Sequence, residues 1–501
     1  MDTLALLLDG FVQCFTLERL LSCVAGVVVG TLTGVLPGIG VTGAMALLLP
    51  ISFGMDATTA LILFAGIYYG AMYGGSTTSI LVNLPGEAAS VITCLDGNQM
   101  AKKGRAGAAL AISAWGSFIA GTLGIVALTF TAEKIASLAL SFRSPEYFSV
   151  CLLGLIILTN LTGKNPLKSL LMVLMGLALG TIGMDDVFGT SRFDFGNMFL
   201  MRGIEFGIVA MAVFGINELL GTLLEPQEEN IHIEKVKLRE LYPNKQEWKR
   251  SFTPILRGSV LGFLIGLIPG PAGTLASFSS YALEKKISKH PEEFGHGAIE
   301  GVAGPEAANN AASSAAFVPL LSLGLPFAPP SALLLTAFIT HGIQPGPTLF
   351  TQHPDVFWSL IASMYIGNVL LLIINLPMVG AFASLLRCPA KILMPVVMVI
   401  TFTGAFATNG TYFDILILIV LGALAYIISK FGYSMAPLAV GICMSSTLEQ
   451  RFQQTMIMLR GDFSNIVRFP ISCVILGAAL VLLLLPLLKP VRRYLKHSKE
   501  D

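Results

Sequence analysis

The chain has 501 residues, of which 54% are hydrophobic and 12% charged, against roughly a quarter charged in an ordinary soluble domain, and its mean hydropathy is +0.76. Apolar blocks such as Ala106–Phe130 and Val474–Leu488 are long enough to cross a bilayer, which excludes a soluble core and leaves room for roughly 10–13 spans. A net charge of +1 offers no field for nucleic acid, so the lipid bilayer is the expected environment and no nucleic-acid partner is expected.

The chain opens Met1-Asp2 without a basic stretch, so no cleaved signal peptide is expected and insertion falls to the spans themselves. The first interrupted span reads GTLTGVLPGIGVTGA over Gly30–Ala44. Ser76-Thr77-Thr78-Ser79 then precedes Asn83-Leu84-Pro85-Gly86-Glu87, and the basic loop Lys102-Lys103-Gly104-Arg105 follows, cytoplasmic by the positive-inside rule. Asp185-Asp186, Arg192 and Asp194 form a polar interruption with the character of a loop. Glu225–Ser251, rich in both signs of charge, reads as a partly helical, solvated linker that divides membrane repeats at 1–224 and 252–501. Beyond it, Gly262–Ala276 reads GFLIGLIPGPAGTLA, and at a constant offset of 232 residues it matches the first interrupted span at seven of fifteen positions, the Pro-Gly included. Asn309-Asn310 and Ser313-Ser314 precede Gly324-Leu325-Pro326, a looser counterpart of the first polar stretch with an indel between the landmarks. No formal charge occurs from Ala307 to Pro354, in contrast to the basic loop of the first half, so inverted repeats are favoured. The tail Lys489, Arg492, Arg493, Lys496 also reads as cytoplasmic. The seven cysteines, with no CxxC pair, read as small core residues. The fold class expected is an all-α polytopic membrane protein with re-entrant or broken helices in two inverted repeats.

Matched Gly/Pro breaks in two repeats mark a midplane binding site, because a broken helix exposes N–H groups to an anion and carbonyls to a cation. Pro37, Gly38, Gly40 and Thr42 form the first break, and Pro269, Gly270, Gly273 and Thr274 the second. A kinked helix with no ligand is the bland alternative for either break alone. Ser76, Thr77, Thr78, Ser79 and Asn83, with Asn309, Asn310, Ser313 and Ser314, offer neutral ligands for a polyanion; bonding between neighbouring helices is the alternative. Sodium is expected near Gly38, Ser76, Gly270 and Asn310, and Glu306 and Glu87 are candidates for coupling to a cation or proton. No tightly bound cofactor is expected, only Na⁺ or H⁺ as coupling ion.

GVLPGIG at Gly34–Gly40, STTSILVNLPGE at Ser76–Glu87, LIPGPAGT at Leu267–Thr274 and GPEAANNAASS at Gly304–Ser314 together resemble the large membrane subunit of the tripartite tricarboxylate transporters, over nearly the whole chain. The resemblance implies a three-part system: a periplasmic solute-binding protein, a small membrane subunit, and a large subunit that moves citrate or other di- and tricarboxylates. It also implies drive by an ion gradient, Na⁺ by expectation, residence in the bacterial cytoplasmic membrane, and inverted repeats with elevator-like motion.

Other classes fit less well. HExxH and GxGD are absent, no two histidines sit at i, i+4 on a span, and Gly163-Lys164-Asn165 lacks the remainder of a P-loop, which argues against an intramembrane enzyme or an ATP-driven pump. A polytopic channel stays open, because symmetric broken helices also build pores.

Overall fold

The structure, a computed structural model, describes residues 3–36, 40–162, 165–185, 187–224, 242–385 and 390–497. In the first half lie α1 (Thr3–Cys14), α2 (Leu17–Val35), α3 (Gly40–Leu48), α4 (Ala57–Val82), α5 (Val91–Met100) and α6 (Ala106–Ala139). These are followed by α7 (Ser144–Leu161), α8 (Pro166–Gly180), α9 (Met198–Met201), α10 (Phe206–Ala210) and α11 (Asn217–Leu224). The second half begins with α12 (Lys245–Gly266), α13 (Ala272–Ile287), α14 (Glu300–Ala315), α15 (Phe317–Leu323) and α16 (Pro329–Thr340). It continues with α17 (Leu349–Gln352), α18 (Pro354–Leu385), α19 (Ala390–Asn409), α20 (Tyr412–Lys430), α21 (Ala436–Met458) and α22 (Pro470–His497). The acidic interruption is a small antiparallel hairpin, β1 (Gly183–Met184) on β2 (Ser191–Arg192). The chain is an all-α, multi-pass membrane protein: among the described residues six helices are long and apolar enough to cross a bilayer, and shorter apolar helices accompany them.

Burial sorts these helices into centre and rim. The α4 span is 94% buried and the α20 span 22%, so α4 runs through the middle of the bundle and α20 lies on its lipid side. Glycine explains how so much helix is packed into the centre. Methyl groups at Gly26, Gly30 and Gly34 of α2 would run into the carbonyls of Leu63, Ile67 and Ala71 of α4. Methyl groups at Gly258, Gly262 and Gly266 of α12 would run into those of Gly304, Ala308 and Ala312 of α14. Every fourth residue is a rung, and each pair of parallel helices meets backbone to backbone.

The two ladders correspond at one offset of 232 residues on α2 and α12 and another of 241 on α4 and α14. The second offset also pairs Asn83 with Gly324, the left-handed residues (φ 60° and 70°) that end α4 and α15. The repeats are therefore structural as well as textual, and the indel lies between α3 and α4. The same offset corrects one sequence pairing: Ser76 stands opposite Phe317, and Asn309 opposite Tyr68, so the two polar stretches are not equivalents.

The second break is the tip of a re-entrant hairpin. Arg257 of α12 grips Glu284 of α13 through two bonds of 2.8 and 2.5 Å, so α13 returns along α12 and Leu267–Pro271 is the turn. The level of that turn is set by Gly266 on Ala312, halfway along α14–α15. In the first repeat Gly34 meets Ala71 near the middle of α4, while Arg19 at the start of α2 lies 4.0 Å from Asp56 at the start of α4. The repeats run in opposite directions. Tyr68 packs on Phe317 with ring centroids 5.8 Å apart, and twelve residues along α4 Ile80 meets Val302 over Gly97. Sequence number rises along α4 as it falls along α14–α15.

Part of the stretch read as linker is helix. Asn244 accepts from the N–H groups of Gln246 and Glu247, and Glu247 accepts from that of Asn244, a capping box that starts α12 at Lys245. Residues 225–241 lie outside the described residues.

Candidate functional site

After α4 the chain passes through the exposed turn Asn83–Pro85 and then folds back into the bundle. Gly86 folds back against the Gly34 carbonyl and Gly75, so Gly86–Ser90 returns to the last turn of α2. A side chain at position 86 would meet that carbonyl directly, hence glycine after the proline. Glu87 arrives half-buried beside Gly75, with the short turn Ala88–Ser90 fixed by Ser90, whose hydroxyl donates to the Glu87 carbonyl at 2.9 Å.

The second repeat meets it there. Asn309 of α14 is 1% exposed, and its amide nitrogen donates to a Glu87 carboxylate oxygen at 3.1 Å. Gly273, in the first turn of α13, lies against Asn309; a Cβ at Gly273 would sit 2.6 Å from the Asn309 amide oxygen and 3.5 Å from Ala89. That amide oxygen has no hydrogen-bond partner among the described residues. Pro269 and Gly270 shape the approach. Gly270, at φ 137°, donates its N–H to the Phe327 carbonyl at 3.0 Å and is buried against Leu161. Pro271 then launches α13, whose first N–H groups lack intrahelical acceptors. Thr274 is half-buried in the same turn.

One helical turn before Asn310 lies a second cluster. Pro305 removes a donor from the middle of α14, and Ser277 donates to its carbonyl at 3.2 Å. Glu306 follows it, 1% exposed, and takes a hydrogen bond from Thr93 of α5. The hydroxyls of Ser76 and Ser113 lie beside the same carboxyl group, whose second oxygen, Oε2, has no hydrogen-bond partner among the described residues. Asn310 donates to Ser117 at 2.8 Å and to the Glu306 carbonyl at 3.0 Å, and Tyr73 donates to the Ala114 carbonyl at 2.8 Å. Four helices, α4, α5, α6 and α14, thus enclose one buried carboxyl group ringed with hydroxyls.

The remaining sequence candidates are spread around this centre. Ser76, Thr78, Ser79, Ser313 and Ser314 all donate to carbonyls three or four residues back in their own helices, and Ser79 also reaches the Ser90 carbonyl at 3.0 Å. Thr77 is buried in α4. Asn83 is exposed and serves to end α4. Gly40 opens α3 at φ 62° and Thr42 is half-buried within it; Pro37 and Gly38 lie outside the described residues, with the sodium position expected near Gly38. Sequence reasoning missed Thr93, Ser113, Ser117 and Asp96. Ser113 and Ser117 at i, i+4 were a readable signal for one polar face of α6. Asp96 is buried too, but its carboxylate accepts from Tyr281 and from the N–H groups of Gly295, Gly297 and Ala298 at 2.7–2.9 Å, which anchors the approach to α14.

The arrangement offers amide and helix-terminal N–H donors to an anion and oxygens to a small hard cation. Among the described residues no group of three or more His, Cys, Asp or Glu is disposed to hold a metal ion, so any cation here would be coordinated chiefly by hydroxyl, amide and carbonyl oxygens.

Comparison with known proteins adds the family. The model of the Tripartite tricarboxylate transporter TctA family matches residues 20–440. An uncharacterised 52.8 kDa protein in the TAR-I ttuC' 3' region of Agrobacterium vitis is 45% identical over 501 residues, covering 100% of this chain and 98% of its own. An uncharacterised protein in the TAR-II ttuC' 3' region of the same organism is 46% identical over 240 residues, covering 48% of this chain and 97% of its own. No solved structure matches.

Proposed function

Since the chain belongs to the tripartite tricarboxylate transporter TctA family, a family of transporters and not of enzymes, we propose that it is the translocating subunit of an ion-driven carboxylate importer in a bacterial cytoplasmic membrane. In this reading a periplasmic binding protein delivers a di- or tricarboxylate of the citrate kind, and a small membrane subunit completes the complex. The two repeats are the halves of the translocation unit, joined by the hydrophilic stretch that ends at α12.

The observation that carries the reading is the junction of Glu87, Asn309 and Gly273. It lies between the returning loop of one repeat and the hairpin tip of the other, so a solute bound there is held by both halves. The Asn309 amide and the first N–H groups of α13 would orient the solute's carboxylates. The charges of Glu87 and Glu306 would oppose an anion at this depth. A cation or proton must therefore accompany the solute, which gives a physical reason for symport. We assign the cation to Glu306, Thr93, Ser76 and Ser113.

The test is uptake of radiolabelled citrate by cells expressing the complete system with Asn309→Ala, at matched membrane levels. A fall of about tenfold or more is expected, the cost of one buried charge-assisted bond and of the carboxylate it leaves unpaired. Wild-type uptake would remove Asn309 from the site.

A further inference from the structure

At the far end of α6 the turn Ser141–Arg143 faces the segment Leu459–Ile471 that joins α21 to α22, and an open cavity of about 620 Å³ lies between them. Its walls carry three guanidinium groups, Arg143, Arg460 and Arg468, together with Asn465. The single carboxylate in the wall, Glu146, is already engaged: it is buried and accepts the N–H of Arg143 at 2.9 Å to cap α7. Asp462, in the same segment, is turned to the N–H and hydroxyl of Ser464 at 2.9 and 2.8 Å. Arg460 holds the left-handed conformation at φ 56°, disfavoured for a side chain of this size, in the turn that closes α21. Basic groups therefore dominate the cavity.

Its position names the source of the anion. The cavity lies between the end of one candidate span, α6, and the start of the next, α7, so it stands at headgroup depth. On its outer side Ile471 and Val474 of α22 are 49% and 74% exposed, an apolar surface that acyl chains can follow. Guanidinium forks match phosphate oxygens in geometry and charge.

We propose that this cavity binds the phosphate group of an anionic phospholipid, with its chains along Ile471 and Val474. The site is separate from the carboxylate site and does not depend on that reading. It would fasten the connection between α21 and α22 to the turn between α6 and α7.

The test uses the full chain, purified and reconstituted in nanodiscs of phosphatidylglycerol mixed with phosphatidylcholine, then extracted in detergent, with the retained lipid quantified by mass spectrometry. Phosphatidylglycerol should be enriched over phosphatidylcholine, and Arg143→Gln with Arg468→Gln should cut that enrichment about tenfold. Asn465→Asp, which removes no arginine, should weaken it several-fold and serves if the double variant does not fold. Inorganic phosphate or citrate at millimolar concentration should not displace the lipid. Equal retention of the two lipids, or undiminished enrichment in Asn465→Asp, overturns the proposal. Displacement by phosphate or by citrate also overturns it, since it assigns the cavity to a soluble anion.

Discussion

Asn309 and Glu306 stand three residues apart on α14 and face different partners, Glu87 on one side and Thr93 on the other. Their neighbours are less exacting. Among the described residues the Ser313 hydroxyl bonds only the Asn310 carbonyl of its own turn, at 2.8 Å, so Ser313→Ala should change uptake by no more than about twofold. A collapse of uptake in that variant would mean that Ser313 turns to the solute during transport. Glu306→Gln keeps the side chain's shape and discards its charge; the sodium and pH dependence of uptake should shift, and an unaltered profile would leave Glu306 a structural role. Asn309, Asn310 and Glu306 were legible in the sequence because amides and an acid stand out in a small-residue segment of a span. Thr93 was not, since it joins the cluster only through a contact 213 positions away; Ser113 and Ser117 could be read as one polar face of α6, but not their meeting with α14, 193 positions on.

Among the elements, the glycine ladders decide how closely α12 and α14 approach. A methyl at Gly262 meets the Ala308 backbone, which cannot yield, so Gly262→Ala should cost about 1–3 kcal/mol and lower the melting temperature of the detergent-solubilised protein by several degrees. At Gly116 the nearest atom is a flexible Ile255 side-chain carbon at 3.4 Å, and Gly116→Ala should melt like wild type. Equal melting of the two variants would contradict the ladder. The β-hairpin has a different anchor. The N–H of Phe188 first, then the Gln453 amide, the N–H of Val187 and the Arg192 charge, hold the Asp185 carboxyl below the usual carboxylate range. A carboxylate favoured in the fold contributes stability above its unfolded pKa, about 3.9, and loses it as pH falls through the folded value. Wild type and Asp185→Asn should therefore differ in melting at pH 7 and converge below pH 4; a constant gap would place the anchor elsewhere. The ladder was half legible: the shared Gly-x-x-x-Gly spacing of α2 and α12 could be read, but its rungs on α4 and α14 are carbonyls of differing residues, and backbone atoms leave no trace in a sequence.

Over the whole molecule, two inverted copies of one scaffold carry unlike polar groups. Asn309 has Tyr68 as its counterpart, and Phe317 takes the place of Ser76. Symmetry builds the paired glycine ladders, while the polar groups proposed as the site gather where the second copy meets the returning loop of the first. Direction of the repeats was readable from the basic loop at Lys102–Arg105 and its uncharged counterpart, because the membrane sorts charge. The asymmetry of the site was not readable, because the two polar stretches resemble each other in composition and differ in register. The most direct measurement of the central claim is citrate uptake into proteoliposomes holding the three-part complex, with and without an inward sodium gradient. The account expects saturable uptake that requires the gradient and the binding protein and falls in Asn309→Ala and Glu306→Gln. Gradient-independent, non-saturable flux, unchanged in both variants, would contradict it.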